Sequence, residues 1–112
     1  MAGASTDLHE RAELLSDDAI GLHRALVSIQ EELEAVDWYN QRALASSDAE
    51  LAAILRHHRD EEKEHAVMLL EWVRRHDDKF DEHMRTYLFT DKPITEVERE
   101  AEHDSVNSNS SD

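Results

Sequence analysis

Glu62 and His65 stand three residues apart in Arg59-Asp60-Glu61-Glu62-Lys63-Glu64-His65, in the middle of a long helical pattern. On a helix, residues at this spacing share a face. A carboxylate oxygen and an imidazole nitrogen aimed at one point suit a borderline divalent metal such as iron, manganese or zinc. One such pair is too few ligands for a tight site, so other parts of the chain must supply more. Glu100 and His103 repeat the spacing but lie in a polar stretch with no apolar flank, and are set aside.

The elements that would position the missing ligands lie on either side. Leu15, Ala19, Leu22, Leu26, Ile29, Leu33 and Val36 alternate spacings of four and three, a heptad-type seam. The seam predicts a first helix over residues 7–45, opened by a capping box of Asp7 and Glu10, with Gly21 a local weakness. Ser46-Ser47-Asp48 reads as a turn, and Ser47 with Glu50 as a second capping box. A turn this short returns the next helix antiparallel to the first.

The second helix carries its own seam through Leu51, Leu55, His58, Glu62, His65, Leu69, Trp72 and His76. Its ends are mainly apolar; its middle is not. Polar groups at core positions cost stability unless they are paired or bound to metal. Beyond His76, residues 77–89 have the composition of a third helix or a bent continuation. Arg85-Thr86-Tyr87-Leu88-Phe89 would suit a short strand, but no second strand is evident to pair with it. Pro93 marks a break, and Thr95 with Glu98 suggests one more short capped helix. The expected organisation is a flexible stretch at 1–6, a helical domain over 7–96 and a polar, disordered tail over 97–112.

Composition narrows the function. The chain has 112 residues, one domain's worth, and no cysteine, which excludes disulfides, thiolate zinc sites and iron–sulfur ligation. A net charge of −15 repels phosphates and attracts cations, so nucleic acid is excluded as a partner. No apolar run approaches the ~20 residues of a membrane span. Met1 to Leu15 holds no signal-peptide core, so a soluble, cytoplasmic protein is expected. Apolar residues at 39% are few for a self-sufficient globule, which favours an oligomer.

Glu32 lies on the shoulder of the first seam, with Tyr39 seven residues on along the same shoulder. One chain thus offers Glu32, Glu62 and His65. The four-helix di-metal carboxylate proteins use a Glu from each of two helices and Glu-x-x-His from each of the other two. This chain has half of that set on two helices, and a two-fold dimer would supply the other half. The expected fold class is therefore all-α: an antiparallel two-helix hairpin with a short C-terminal helix, completing four-helix bundles by homo-oligomerisation. Glu62 is the candidate bridge between two metal ions.

Other clusters leave two readings open. Glu31, Glu34 and Trp38 share a face roughly opposite the seam, with Ile20 and Val27. They form either a second subunit contact or a solvated acidic stripe next to an interface tryptophan. His57, Glu61 and Glu64 could hold a surface metal weakly, or simply face solvent. Ca²⁺ or another divalent cation would suit such secondary sites. His58 is either hydrogen-bonded core or ligand.

Glu31-Glu32-Leu33-Glu34-Ala35-Val36-Asp37-Trp38-Tyr39, then Arg59 to His65, then Arg85-Thr86-Tyr87-Leu88-Phe89-Thr90 and Pro93-Ile94-Thr95, resemble the encapsulated ferritin family over about residues 8–96. The resemblance implies a half-ferritin that assembles as a ring-shaped decamer, a pentamer of dimers, with a di-iron ferroxidase centre at a dimer interface. It implies residence inside an encapsulin nanocompartment in the cytoplasm, where the shell stores the mineral. By the same resemblance Glu32, Glu62 and His65 ligate iron, Tyr39 supports them, and Glu31, Glu34 and Trp38 form a metal transit site. The family's short apolar-basic shell-docking peptide has no match in Asn107-Ser108-Asn109-Ser110-Ser111-Asp112. The competing expectations are a helical assembly module with a structural metal, and a di-metal protein using manganese or zinc.

Overall fold

A computed structural model describes residues 7–110, with side chains described to residue 104. The described residues form a 3-10 turn at Ala12–Leu14, then α1 (Asp17–Ala45), α2 (Ala49–His76), α3 (Asp78–Tyr87) and α4 (Ile94–Ser110), with no strand among them. The fold is all-α; α3 falls in the stretch 77–89 expected to be a third helix or a bent continuation, and α4 follows Pro93, where one more short helix was expected. Two compact units divide at His76 and Asp77.

α1 starts later than its seam suggests. Residues 7–11 are not helical, so the box of Asp7 and Glu10 opens no helix. Ser16 caps α1 instead, its Oγ accepting from the Ala19 amide at 3.1 Å. Asp17 and Asp18 follow in the first turn, where carboxylates complement the helix dipole. A hydroxyl cap and two acids at one place outweigh an isolated Asp7. At the other end, Asp48 Oδ1 accepts from the Leu51 amide at 2.9 Å, so Asp48 caps α2 and Ser47 does not.

The three-residue turn folds α2 back along α1. Asn40 meets Arg59 near the turn, Glu32 meets His65 midway, and Gly21 faces Trp72 at the far end. This is the antiparallel hairpin the sequence predicts. Its buried line is Ala25, Ile29 and Ala43 on α1 against Ala52, Ala66 and Val73 on α2. Ala25, Ile29 and Val73 form a cluster, with Leu22, Leu69 and Leu70 packed against it.

That line is rotated by one residue from the expected seams over much of their length. Leu33, Leu51 and Trp72, assigned to the interior, are 54%, 48% and 39% exposed. Small side chains explain the shift. Alanines in the seam let two helix backbones approach closely, and the larger apolar groups turn to the flanks. The hairpin therefore leaves Leu33, Leu51, Ile54, Val67, Met68 and Trp72 uncovered, more apolar surface than an isolated helix pair of this size should expose.

The second unit begins with Asp77, whose Oδ1 accepts from the Phe80 amide at 2.8 Å and caps α3. Ion pairs Lys79–Glu82 and Arg85–Asp81 run along α3. Arg85 to Tyr87 are helical, not strand. The Pro93 carbonyl accepts from the Glu96 and Val97 amides, so Pro93 opens α4 and Thr95 lies inside it. α4 continues to Ser110, through the stretch assigned to a tail. Glu96 to Glu102 are mostly good helix formers, and Lys92 Nζ bonds Glu100 Oε1 at 3.0 Å. Residues 1–6 and 111–112, expected to be loose, lie outside the described residues.

Candidate metal centre

Because the seam is rotated, Glu32 sits between the helices and not on a shoulder. Its side chain is 25% exposed, that of Glu62 24%, and that of His65 48%. His65 Nδ1 lies 3.4 Å from Glu62 Oε2 and 3.7 Å from Glu32 Oε2. One donor atom from each residue falls within 4.8 Å of the other two, and no other such trio of His, Asp or Glu occurs among the described residues. The two carboxylates are largely covered, while the imidazole stands at the open flank.

These separations exceed a direct hydrogen bond. They match what ligands around a shared ion require, since bonds of ~2.0–2.2 Å to one centre hold the donors about 3–4 Å apart. Two carboxylate oxygens and one nitrogen suit Fe²⁺, Mn²⁺ or Zn²⁺ and leave coordination positions open. The donor set fits a metal ion and is incomplete in one chain.

Tyr39 lies one heptad beyond Glu32, ~10.5 Å along the axis, with its ring against His58 at 5.3 Å between centroids. The Arg42 guanidinium stands over the same ring at 5.4 Å. His58 is exposed and packs on Tyr39, so it is neither core nor a member of the trio.

Glu31, Glu34 and Trp38 are all exposed, Trp38 by 51%, and none joins the trio. Trp38 lines a shallow groove with Gln41 and Arg42. His57 Nε2 approaches Glu61 Oε1 to 2.8 Å, but Glu64 does not close a three-ligand group with them.

Two contacts escaped the sequence reading. Arg59 Nη1 donates to Asn40 Oδ1 at 3.0 Å across the hairpin. Arg59 also bonds Asp60, and together with Lys63 it holds that carboxyl below the usual carboxylate range. Counting back from Glu62 in steps of three and four along the buried line would have reached Arg59. The Trp72 and His76 rings stack at 4.0 Å, with His76 Nδ1 2.7 Å from the Trp72 carbonyl; two aromatic groups at i and i+4 near a helix end were the available signal.

A long antiparallel helix pair with a carboxylate on one helix and Glu-x-x-His on the other is the half-bundle of a ferritin-like protein. The chain belongs to the EncFtn-like family, whose profile matches residues 7–91. It is 61% identical over 98 residues to an encapsulated ferritin-like protein of Rhodospirillum rubrum, covering 88% of this chain and 70% of that protein. It is 52% identical over 99 residues to a ferritin-like protein of Thermotoga maritima, covering 88% of this chain and 87% of the relative. A crystal structure of a Nitrosomonas europaea protein superposes with a TM-score of 0.75 at 60% identity, covering 78% of this chain and 96% of the other.

Proposed function

We propose that this protein is a ferroxidase that takes Fe²⁺ as substrate and oxidises it to Fe³⁺ with O₂ at a centre shared by two copies of the chain. The observation that carries this reading is the convergence of Glu32, Glu62 and His65 into half of a carboxylate–imidazole set. A second copy across a two-fold axis doubles the set to four carboxylates and two imidazoles, enough for two iron ions. Anionic oxygens hold Fe³⁺ more strongly than Fe²⁺, so Glu32 and Glu62 favour the oxidised product. Glu62 bridges the two ions, and His65 fixes their orientation.

Two helices per chain cannot enclose a mineral, so the product leaves. The name of the Rhodospirillum rubrum relative, an encapsulated ferritin-like protein, supports residence inside a protein shell. On this reading the protein works as a ring-shaped homodecamer inside an encapsulin nanocompartment in the cytoplasm. Glu31, Glu34 and Trp38 serve as the transit site, and His57, Glu61 and Glu64 as a weak surface site for Ca²⁺ or another divalent ion.

The deciding experiment measures O₂ consumption on adding Fe²⁺ to the parent and to Glu62→Ala, with circular dichroism on both. Iron-dependent uptake that Glu62→Ala loses while keeping its helicity supports the reading. Metal binding without O₂ uptake in the parent would leave a structural metal module, and parent-rate oxidation by Glu62→Ala would sink the assignment.

A further inference from the structure

Arg59 crosses the hairpin one helical turn from the candidate ligands. It precedes Glu62 by three residues, so the two share a face of α2, about 4.5 Å apart along the axis. Its guanidinium is held at two points. Nε donates to Asp60 Oδ1 at 2.9 Å on its own helix, and Nη1 donates to Asn40 Oδ1 at 3.0 Å on α1. Asp60 is itself steadied by Lys63, whose Nζ lies 3.3 Å from the same oxygen. A planar guanidinium gripped by a carboxylate on one edge aims its other nitrogens in a fixed direction. The Arg59 side chain is 20% exposed, so water competes little for the bond to Asn40.

The packing around this bond leaves it a task. Between the turn and the cluster of Ile29 and Val73, the buried residues are Ala43, Ala52 and Ala66. Helices resist sliding where side-chain ridges enter grooves, and methyl groups make low ridges. The trio lies in this smooth stretch. Glu32 comes from α1, while Glu62 and His65 come from α2. Any slide of one helix along the other therefore carries Glu32 away from its two companions. A working site tolerates only ~0.5 Å of such misplacement. The bond from Arg59 to Asn40 is directional where the alanine packing is not.

We propose that Arg59 is a positioning residue for the metal centre: by bonding Asn40 it fixes the register of α1 against α2 and holds Glu32 within ligating reach of Glu62 and His65. Arg59 is not a ligand and acts through Glu32. Its role rests on the reading of the trio as a metal centre, and is independent of whether the metal is oxidised there. Lysine would offer one rotatable donor and could not span Asp60 and Asn40 in a fixed plane.

The test loads Co²⁺ in place of Fe²⁺, because its visible absorption reports the number and geometry of its ligands. Arg59→Met keeps the aliphatic stem and removes the donors. Asn40→Ala removes the acceptor and leaves α2 as it is. Circular dichroism at the working concentration checks that each variant is folded. Each should weaken Co²⁺ binding about 3–10-fold, and the double variant should bind no more weakly than the weaker single, since both act through one bond. The Co²⁺ spectrum of both singles should shift toward that of Glu32→Ala, which lacks the ligand from α1. Val73→Ala is the control for stability alone: it loosens the core beyond the pair and should keep the parent's affinity and spectrum. Losses that add in the double variant, a parent-like spectrum in both singles, or an equal shift in Val73→Ala overturn the proposal and reduce the bond to a brace of the hairpin. A parent chain that binds no Co²⁺ would instead remove the metal centre itself, and the positioning role with it.

Discussion

The rings of Tyr39 and His58 meet edge to face, 5.3 Å apart at 86°. Tyr39 is seven residues after Glu32 and His58 seven before His65. The antiparallel register that joins a carboxylate to an imidazole at one level thus joins a phenol ring to an imidazole one heptad along. His58→Ala should lower stability by about 1 kcal/mol through the lost ring contact. Iron oxidation should fall far less than in Glu62→Ala. Thermal melts with O₂-uptake assays read both, and a loss of oxidation as deep as that of Glu62→Ala would make His58 a ligand.

Removing a ligand should act through metal affinity. His65→Ala should weaken Fe²⁺ binding by at least ~10-fold, since even outer partners of a ligand are worth about 10–100-fold. Anaerobic titration calorimetry is the measurement. Undiminished affinity would move the centre away from the trio.

Glu31 and Glu34 are exposed on α1 and lie outside the trio. Replacing both by Ala should change the rate of iron oxidation while the trio still loads metal. Stopped-flow oxidation and a crystal structure of the double variant soaked in Fe²⁺ separate the alternatives. An empty trio would show that the pair belongs to the centre, and unchanged kinetics would reduce it to a solvated face.

Val73 is the one large side chain among the described residues that is wholly inaccessible, at 0%. Val73→Ala should cost about 2 kcal/mol, two buried carbons at ~0.8 kcal/mol each plus a small cavity. Urea titration at fixed protein concentration checks it, and a cost below about 0.5 kcal/mol would mean that the hairpin collapses around the gap.

Glu71 is held at about pKa 2 by hydrogen bonds from Arg74 and then Arg75, against an ordinary 4.5. The folded pKa is depressed, so this stabilisation is fully present above pH 4.5 and lost as pH falls toward 2. Glu71→Gln should lower the melting temperature slightly above that window, with the difference closing through it. Salt should erode the effect, because the groups are exposed. A difference that persists below the window would assign the loss to packing.

The hairpin was legible because its turn is short and its periodicity long. The phase of the seam was not. Heptad counting follows the largest apolar residues, such as Leu33, Leu51 and Trp72, whereas the packed line is chiefly Ala25, Ala43, Ala52 and Ala66. The trio survived the error because Glu62 lies on both lines and Glu32 and His65 each sit one residue from the other. Phe89, which follows α3 with φ 63° in the left-handed region, was invisible, since only its backbone dihedral marks it.

The alanine seam has a consequence for how stability must be quoted. On the proposed reading of a centre shared between copies, a protomer that keeps its small residues internal and turns its large ones outward would gain much of its folding free energy on meeting another protomer. Its melting temperature would then be a function of concentration, rising with each tenfold increase in protein. Dilution alone would dismantle both the fold and the shared half-sites, so any catalytic rate measured at nanomolar protein would describe a population partly taken apart.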